Sequence, residues 1–153
     1  MKWFKQSAYN PMRPISPDNQ FNYIGNIPED PQTPEDAYMW AEELNHGRYP
    51  EGEELIATDA HFAYLYAVYI LKGRFFAGED KISEEPNWSY FYAENVVQAR
   101  WPEGERAISK DPRFSYWYAR DVVGGRWEEG EQAIYSSGIK ALIEDYNRFI
   151  GKK

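Results

Sequence analysis

Cysteine is absent from the 153-residue chain, which excludes disulfides and thiolate metal ligands. Long apolar runs are missing too: nothing approaches the ~20 residues of a membrane-spanning helix. Met1 is followed by Lys2-Trp3-Phe4-Lys5 without the apolar stretch of a secretory signal. A cytoplasmic protein with no membrane association is the expectation. Histidine is scarce, with only His46 and His61, and neither belongs to a metal or nucleophile motif. No glycine-rich phosphate loop, serine-centred elbow or D-x-D-x-D-G calcium loop occurs. Neither catalysis nor a metal or cofactor is therefore expected. Positive charge is in deficit, 17 Lys and Arg against 25 Asp and Glu for a net charge of −8. Nucleic-acid backbones are bound by cations that displace counterions, so direct nucleic-acid binding is not expected, and a protein partner is.

What the chain has in excess is aromatic residues, 18% of the total, with 13 Tyr, 8 Phe and 6 Trp. They fall in a repeat. Arg48, Arg74, Arg100 and Arg126 are each 26 positions apart, as are Gly52, Gly78, Gly104 and Gly130, and Ile56, Ile82, Ile108 and Ile134. Each unit carries two helix signals. In the third, Pro102-Glu103-Gly104-Glu105 opens a short helix that stops at Asp111-Pro112, because a residue before proline is pushed out of the helical region. Asp111 then caps a second helix that runs to Gly124-Gly125. The spacing predicts an all-α fold, a solenoid-like stack of 26-residue helix-turn-helix repeats. Full repeats span 48–73, 74–99, 100–125 and 126–151, and a half repeat at 33–47 opens with Thr33-Pro34-Glu35-Asp36. In the last unit Asp-Pro becomes Ser137-Gly138 and Tyr-x-Tyr-Ala becomes Leu142-Ile143-Glu144-Asp145, as expected of a terminal unit that ends a stack.

The repeat domain is assigned to residues 33–153. Residues 1–32 form an irregular arm whose Pro11, Pro14, Pro17, Pro28 and Pro31 leave no helical period. Two roles stay open for it: capping the first repeat with its aromatics, or reaching a partner or a second copy of the chain, which would make a homo-oligomer.

At about 100° per residue, Ser115, Tyr116, Ala119, Val122 and Val123 share one face with Phe114 and Tyr118 beside it, and their counterparts keep their chemistry in every inner unit. This is the expected core, with tyrosine hydroxyls available to satisfy backbone groups at the unit junctions. A second stripe varies, reading His61, Asn87, Arg113, then Leu65, Phe91, Trp117, then Val68, Glu94, Arg120, then Tyr69, Asn95, Asp121. Variation confined to one stripe is how repeat proteins build a recognition surface. The candidate partner-binding residues are accordingly Leu65, Tyr69, Phe91, Glu94, Asn95, Trp117, Arg120 and Asp121, with the apolar row expected in solvent. A competing candidate is the acidic ladder Glu53, Glu79, Glu103, Glu105, Glu129 and Glu131, which could imitate a phosphate row. Against it, acids in a first turn complement the helix dipole and the repeated arginine is within reach to pair with them.

The stretch R-W-P-E-G-E-R-A-I-S-K-D-P-R-F-S-Y-W-Y-A-R-D-V-V-G-G-R-W, residues 100 to 127, resembles the tandem R-W-P-E-A-E…D-P-x-x-A-Y-x-Y-A repeats of uncharacterised proteins from tailed bacteriophages and some bacteria. The likeness extends over residues 33 to 151 and departs at Phe75-Phe76-Ala77 and in the last helix. It implies no activity. A phage origin would imply a small protein in the host cytoplasm that binds or inhibits a host factor; a structural or assembly role is a further alternative.

Overall fold

The computed structural model describes residues 29–44 and 47–151, and every regular element among them is helical. The proposed N-terminal arm, apart from its last residues, and His46 lie outside the described residues. In chain order the α-helices are α1 (Pro34–Met39), α2 (Glu53–Ile56), α3 (Ala60–Leu65), α4 (Glu79–Ile82), α5 (Pro86–Tyr92), α6 (Pro102–Ile108), α7 (Pro112–Tyr118), α8 (Glu128–Ser136) and α9 (Lys140–Phe149). Caps place their starts. The Thr33 side chain accepts from the Asp36 amide at 3.1 Å. Asp59 and Asp111 each accept from two amides, at 2.9 and 3.1 Å and at 2.8 and 3.0 Å.

The second helix of each inner unit does not run on as a plain α-helix. α1, α3, α5 and α7 each slacken into a π-helical turn, at Trp40–Leu44, Tyr66–Leu71, Ala93–Val97 and Ala119–Val123. Three of these turns close on a left-handed residue, Lys72, Gln98 and Gly124 at φ 52°, 55° and 72°. Only the third is glycine, the residue that adopts this conformation without steric cost.

The second helices α1, α3, α5, α7 and α9 lie side by side, and each short first helix packs against the second helix of the unit before it. Ile56, Ile82, Ile108 and Ile134, at or near the ends of the short first helices, are fully buried, each contributing about 1.5–3 kcal/mol of apolar transfer. The repeated glycine is explained by the same junction. A Cβ on Gly104 would collide with the Trp101 ring and stand 2.9 Å from the Ser89 Cβ, and Gly52, Gly78 and Gly130 are confined by Tyr49, Phe75 and Trp127 in the same way. Opposite them the preceding helix carries only Ala37, Ala63, Ser89 or Ser115. Buried Ser89 and Ser115 donate to the Ile82 and Ile108 carbonyls at 2.8 and 3.0 Å.

The last unit departs from the 26-residue step. Position 144, which the repeat aligns with Tyr118, is an exposed glutamate, and the fully buried tyrosine is Tyr146, 28 positions on. Without the Asp-Pro cap, α9 begins two residues late, at Lys140, and its register moves with it.

Candidate functional site

Each unit is closed by one set of side chains. In the third, Arg100 donates through Nε and Nη2 to Glu105 at 2.7 and 2.8 Å. The Tyr118 hydroxyl donates to the same carboxylate at 2.8 Å and accepts from the Trp101 amide at 2.9 Å. The clasp recurs as Arg48–Glu53–Tyr66, Arg74–Glu79–Tyr92 and Arg126–Glu131–Tyr146, with the amides of Tyr49, Phe75 and Trp127 as donors at 2.8, 2.8 and 3.3 Å. The arginine holds Glu53 and Glu105 below the usual carboxylate range. For Glu79, burial acts upward but is outweighed by the bonds from Arg74 and Tyr92. Burial in turn pushes the Tyr66 and Tyr146 phenols up to about 12.

These clasps redistribute the acidic ladder. The side chains of Glu53, Glu79, Glu105 and Glu131 are only 12–17% exposed and each is bound to an arginine. Glu103 and Glu129 alone stand in solvent, and Glu129 lies 3.6 Å from Arg100. A carboxylate held on both oxygens by a guanidinium presents no free phosphate-like charge.

The variable stripe is likewise more involved in packing than its sequence suggests. Leu65, expected in solvent, is 5% exposed and belongs to the core. Phe91 and Trp117 are half-buried: the Phe91 ring lies 6.2 Å from Phe114 of the following second helix, and the Trp117 ring 5.9 Å from Tyr90 of the preceding one. Asn95 donates to the Tyr64 hydroxyl at 3.1 Å, and the Tyr90 hydroxyl donates to Asp121 at 2.9 Å, both across units. Burial pushes both phenols up, Tyr90 further because the Glu94 and Asp121 carboxylates lie beside it. Asn95 and Asp121 thus latch one unit to the next, and half-buried Glu94 lines the second latch. Tyr69, at 37% exposure, and Arg120 remain open to solvent.

The stripe ends at a groove of about 320 Å³ between α7 and α9. Arg113, Tyr116, Trp117 and Arg120 form one wall; Ile139, Ala141, Leu142 and Asp145 form the other. Ile139 is 40% exposed. Arg120 is bound through two bonds to Asp121 at 2.8 and 2.7 Å, and its guanidinium lies 5.3 Å from the Tyr116 ring centre. Exposed Arg113 has no ion-pair partner among the described residues. Sequence reasoning places Arg113, Trp117 and Arg120 on this stripe but misses the opposite wall. The one signal for that wall is the replacement of Tyr-x-Tyr-Ala by Leu142-Ile143-Glu144-Asp145 after Ser137-Gly138, which by itself marks only the end of the repeats.

Among the described residues no group of His, Asp and Glu is placed to hold a metal ion, and no helix is long and apolar enough to cross a membrane. His61 stacks on Trp88 with ring centres 4.7 Å apart, and burial lowers its pKa against the pull of Asp59 and Glu35. Neither a family model, nor a curated protein, nor a solved structure matches the chain.

Proposed function

We propose that the protein is a protein-binding module that works without catalysis, engaging its partner along the second helices and at the groove that ends them. The supporting observation is a division of side chains. The arginines, glutamates and tyrosines that recur every 26 residues satisfy one another inside each unit, whereas Arg113, Trp117 and Ile139 meet in an open groove without that repeated bonding. The finer architecture belongs to the same proposal: a solenoid-like stack of helix-turn-helix units whose constant frame carries a variable face, supported by four clasps at nearly constant spacing. So do a cytoplasmic site of action and, by resemblance of the repeat, a phage-encoded inhibitor of a host protein.

Affinity capture with the immobilised full chain, read by mass spectrometry, tests this. Trp117→Ala with Arg120→Ala should abolish capture, and the exposed Glu103→Gln with Glu129→Gln should leave it intact. The opposite pattern, with capture that weakens steeply as salt rises, would favour an acidic mimic of nucleic acid. Turnover of a substrate would remove the non-catalytic reading.

A further inference from the structure

We infer that the His61–Trp88 stack is an acid-released pin between α3 and α5: protonation of the imidazole in mild acid drives it off the indole and loosens the two helices. Such a pin would act whether or not the protein binds a partner.

His61 is the second residue of α3, behind the Asp59 cap that accepts from its amide at 2.9 Å. Its ring crosses to α5 and lies nearly parallel to Trp88, with centres 4.7 Å apart and planes inclined by 20°, while Phe62 of its own helix is 4.9 Å away. Trp88 also meets Tyr64 of α3 at 5.6 Å. The imidazole and the Tyr64 ring together hold the indole against α3. The step of 26 puts Asn87 and Arg113 at the corresponding positions, and neither side chain titrates near neutral pH. Of the three positions, only this one can change its charge in mild acid.

Nε2 of His61 is buried and has no hydrogen-bond partner. A neutral imidazole tolerates this, since it needs a place for one N–H only and can carry that proton on Nδ1; an imidazolium is a donor at both nitrogens. Protonation in place would leave a charged N–H buried without an acceptor, and would set a cation in the first turn of a helix, where the dipole opposes it. Three groups favour the charge. Asp59 already serves two amides, Glu35 of α1 is exposed and screened by salt, and the Trp88 face offers a cation–π contact. α5, Pro86–Tyr92, carries no charged residue, and from α4 Lys81 is paired with Glu84 at 2.7 Å and acts on Asp59. Burial prevails over Asp59 and Glu35, and the imidazole titrates below the ordinary histidine value. Once charged, the ring gains by leaving, and because His61 is only half-buried a change of rotamer takes it to water.

With the folded value depressed, the unfolded chain takes up the proton first. Stability therefore falls as pH drops from the unfolded value of about 6.5 to the folded one, a loss that begins above the carboxylate range. An NMR titration of the isotope-labelled full chain tests the pin, with His61→Asn, the residue 26 positions on, distinguishing the His61 signal from that of His46. The imidazole should titrate below about 6.5, and the Trp88 indole signal should shift at the same midpoint. Trp88→Ala, which uncovers the ring, should bring that midpoint back toward the ordinary value. In thermal melts the wild type should lose Tm between about pH 7 and 5 more steeply than His61→Asn. A His61 midpoint at or above the ordinary value, an indole signal indifferent to it, or parallel losses of Tm would overturn the inference. Should either variant fail to fold, the midpoint and the indole signal of the wild type decide by themselves.

Discussion

Replacing Tyr118 by phenylalanine removes a single oxygen from a residue with no exposed surface. The ring remains, so no cavity term arises. Two bonds are lost. The Trp101 amide, which donates to that oxygen at 2.9 Å, is left buried without an acceptor at a cost of about 1–3 kcal/mol. Glu105 loses the hydroxyl at 2.8 Å but keeps Arg100 on both oxygens, so this second loss falls at the low end of the ~1.5–3 kcal/mol for a bond to a charged group. The sum is about 3 kcal/mol, or ~6–12 °C in Tm at this chain length. Urea denaturation followed by far-UV circular dichroism should show a lower midpoint with an unchanged slope. Tyr146→Phe should cost less, because its amide bond is longer at 3.3 Å, and Tyr69→Phe, on an exposed residue, should change nothing. If Tyr118→Phe stays within about 0.5 kcal/mol of wild type, the level of an indifferent surface change, the clasp does not stabilise the unit.

Glycine substitutions should separate sharply. Gly104→Ala drives a methyl into Trp101 and Ser89 and should cost at least ~1–3 kcal/mol, whereas Gly125→Ala meets nothing within 4 Å and should be neutral or stabilising by up to about 1 kcal/mol; thermal melts distinguish the two. Gln98→Gly should raise the Tm, since Gln98 holds φ 55° at a cost of ~1–2 kcal/mol that exceeds the entropy penalty of glycine. In acid, Glu53, Glu79 and Glu105 titrate lower in the folded chain. Their contribution is therefore complete above the unfolded value of about 4.3 and is lost as pH falls through the folded values. Melts across the acid range should show that loss, and Glu105→Gln should flatten it. Tyr66 and Tyr146 run the other way: with folded values of about 12, they stabilise fully below about pH 10 and cease to as pH rises past their own titration, which phenolate absorbance would follow.

The helix pairs are legible in the sequence because their start and stop signals are local. Thr33 and Asp111 cap where their side chains suggest, and Gly124 takes the left-handed position. The recurring tyrosines are legible as core and as acceptors for backbone amides. The π-helical turns are not, since Ala119–Val123 carries the same apolar pattern a plain α-helix would. That turn winds more slowly than 100° per residue, so a helical projection drifts along it, although Asp121 stays exposed as well as bonded to Tyr90. Leu65 and Asn95 are misplaced for a different reason: a projection treats a helix as isolated, whereas Leu65 is buried in the shared core and Asn95 reaches back to the Tyr64 hydroxyl of the preceding second helix. Tyr146 is hidden because a constant step of 26 positions runs through a terminus whose missing cap shifts it to 28.

The clasps join residues 13 and 17 positions apart in the inner units, and the latches join residues 31 apart. Loop closure over such spans is entropically inexpensive, and chains whose contacts are this local refold in microseconds to milliseconds. Stopped-flow refolding should be over within milliseconds, and a much slower main phase would contradict this. In the proposed stack the same locality would let any unit nucleate the others, and hydrogen exchange should then protect the middle units most and be fastest at the ends, where a unit of such a stack has one neighbour instead of two.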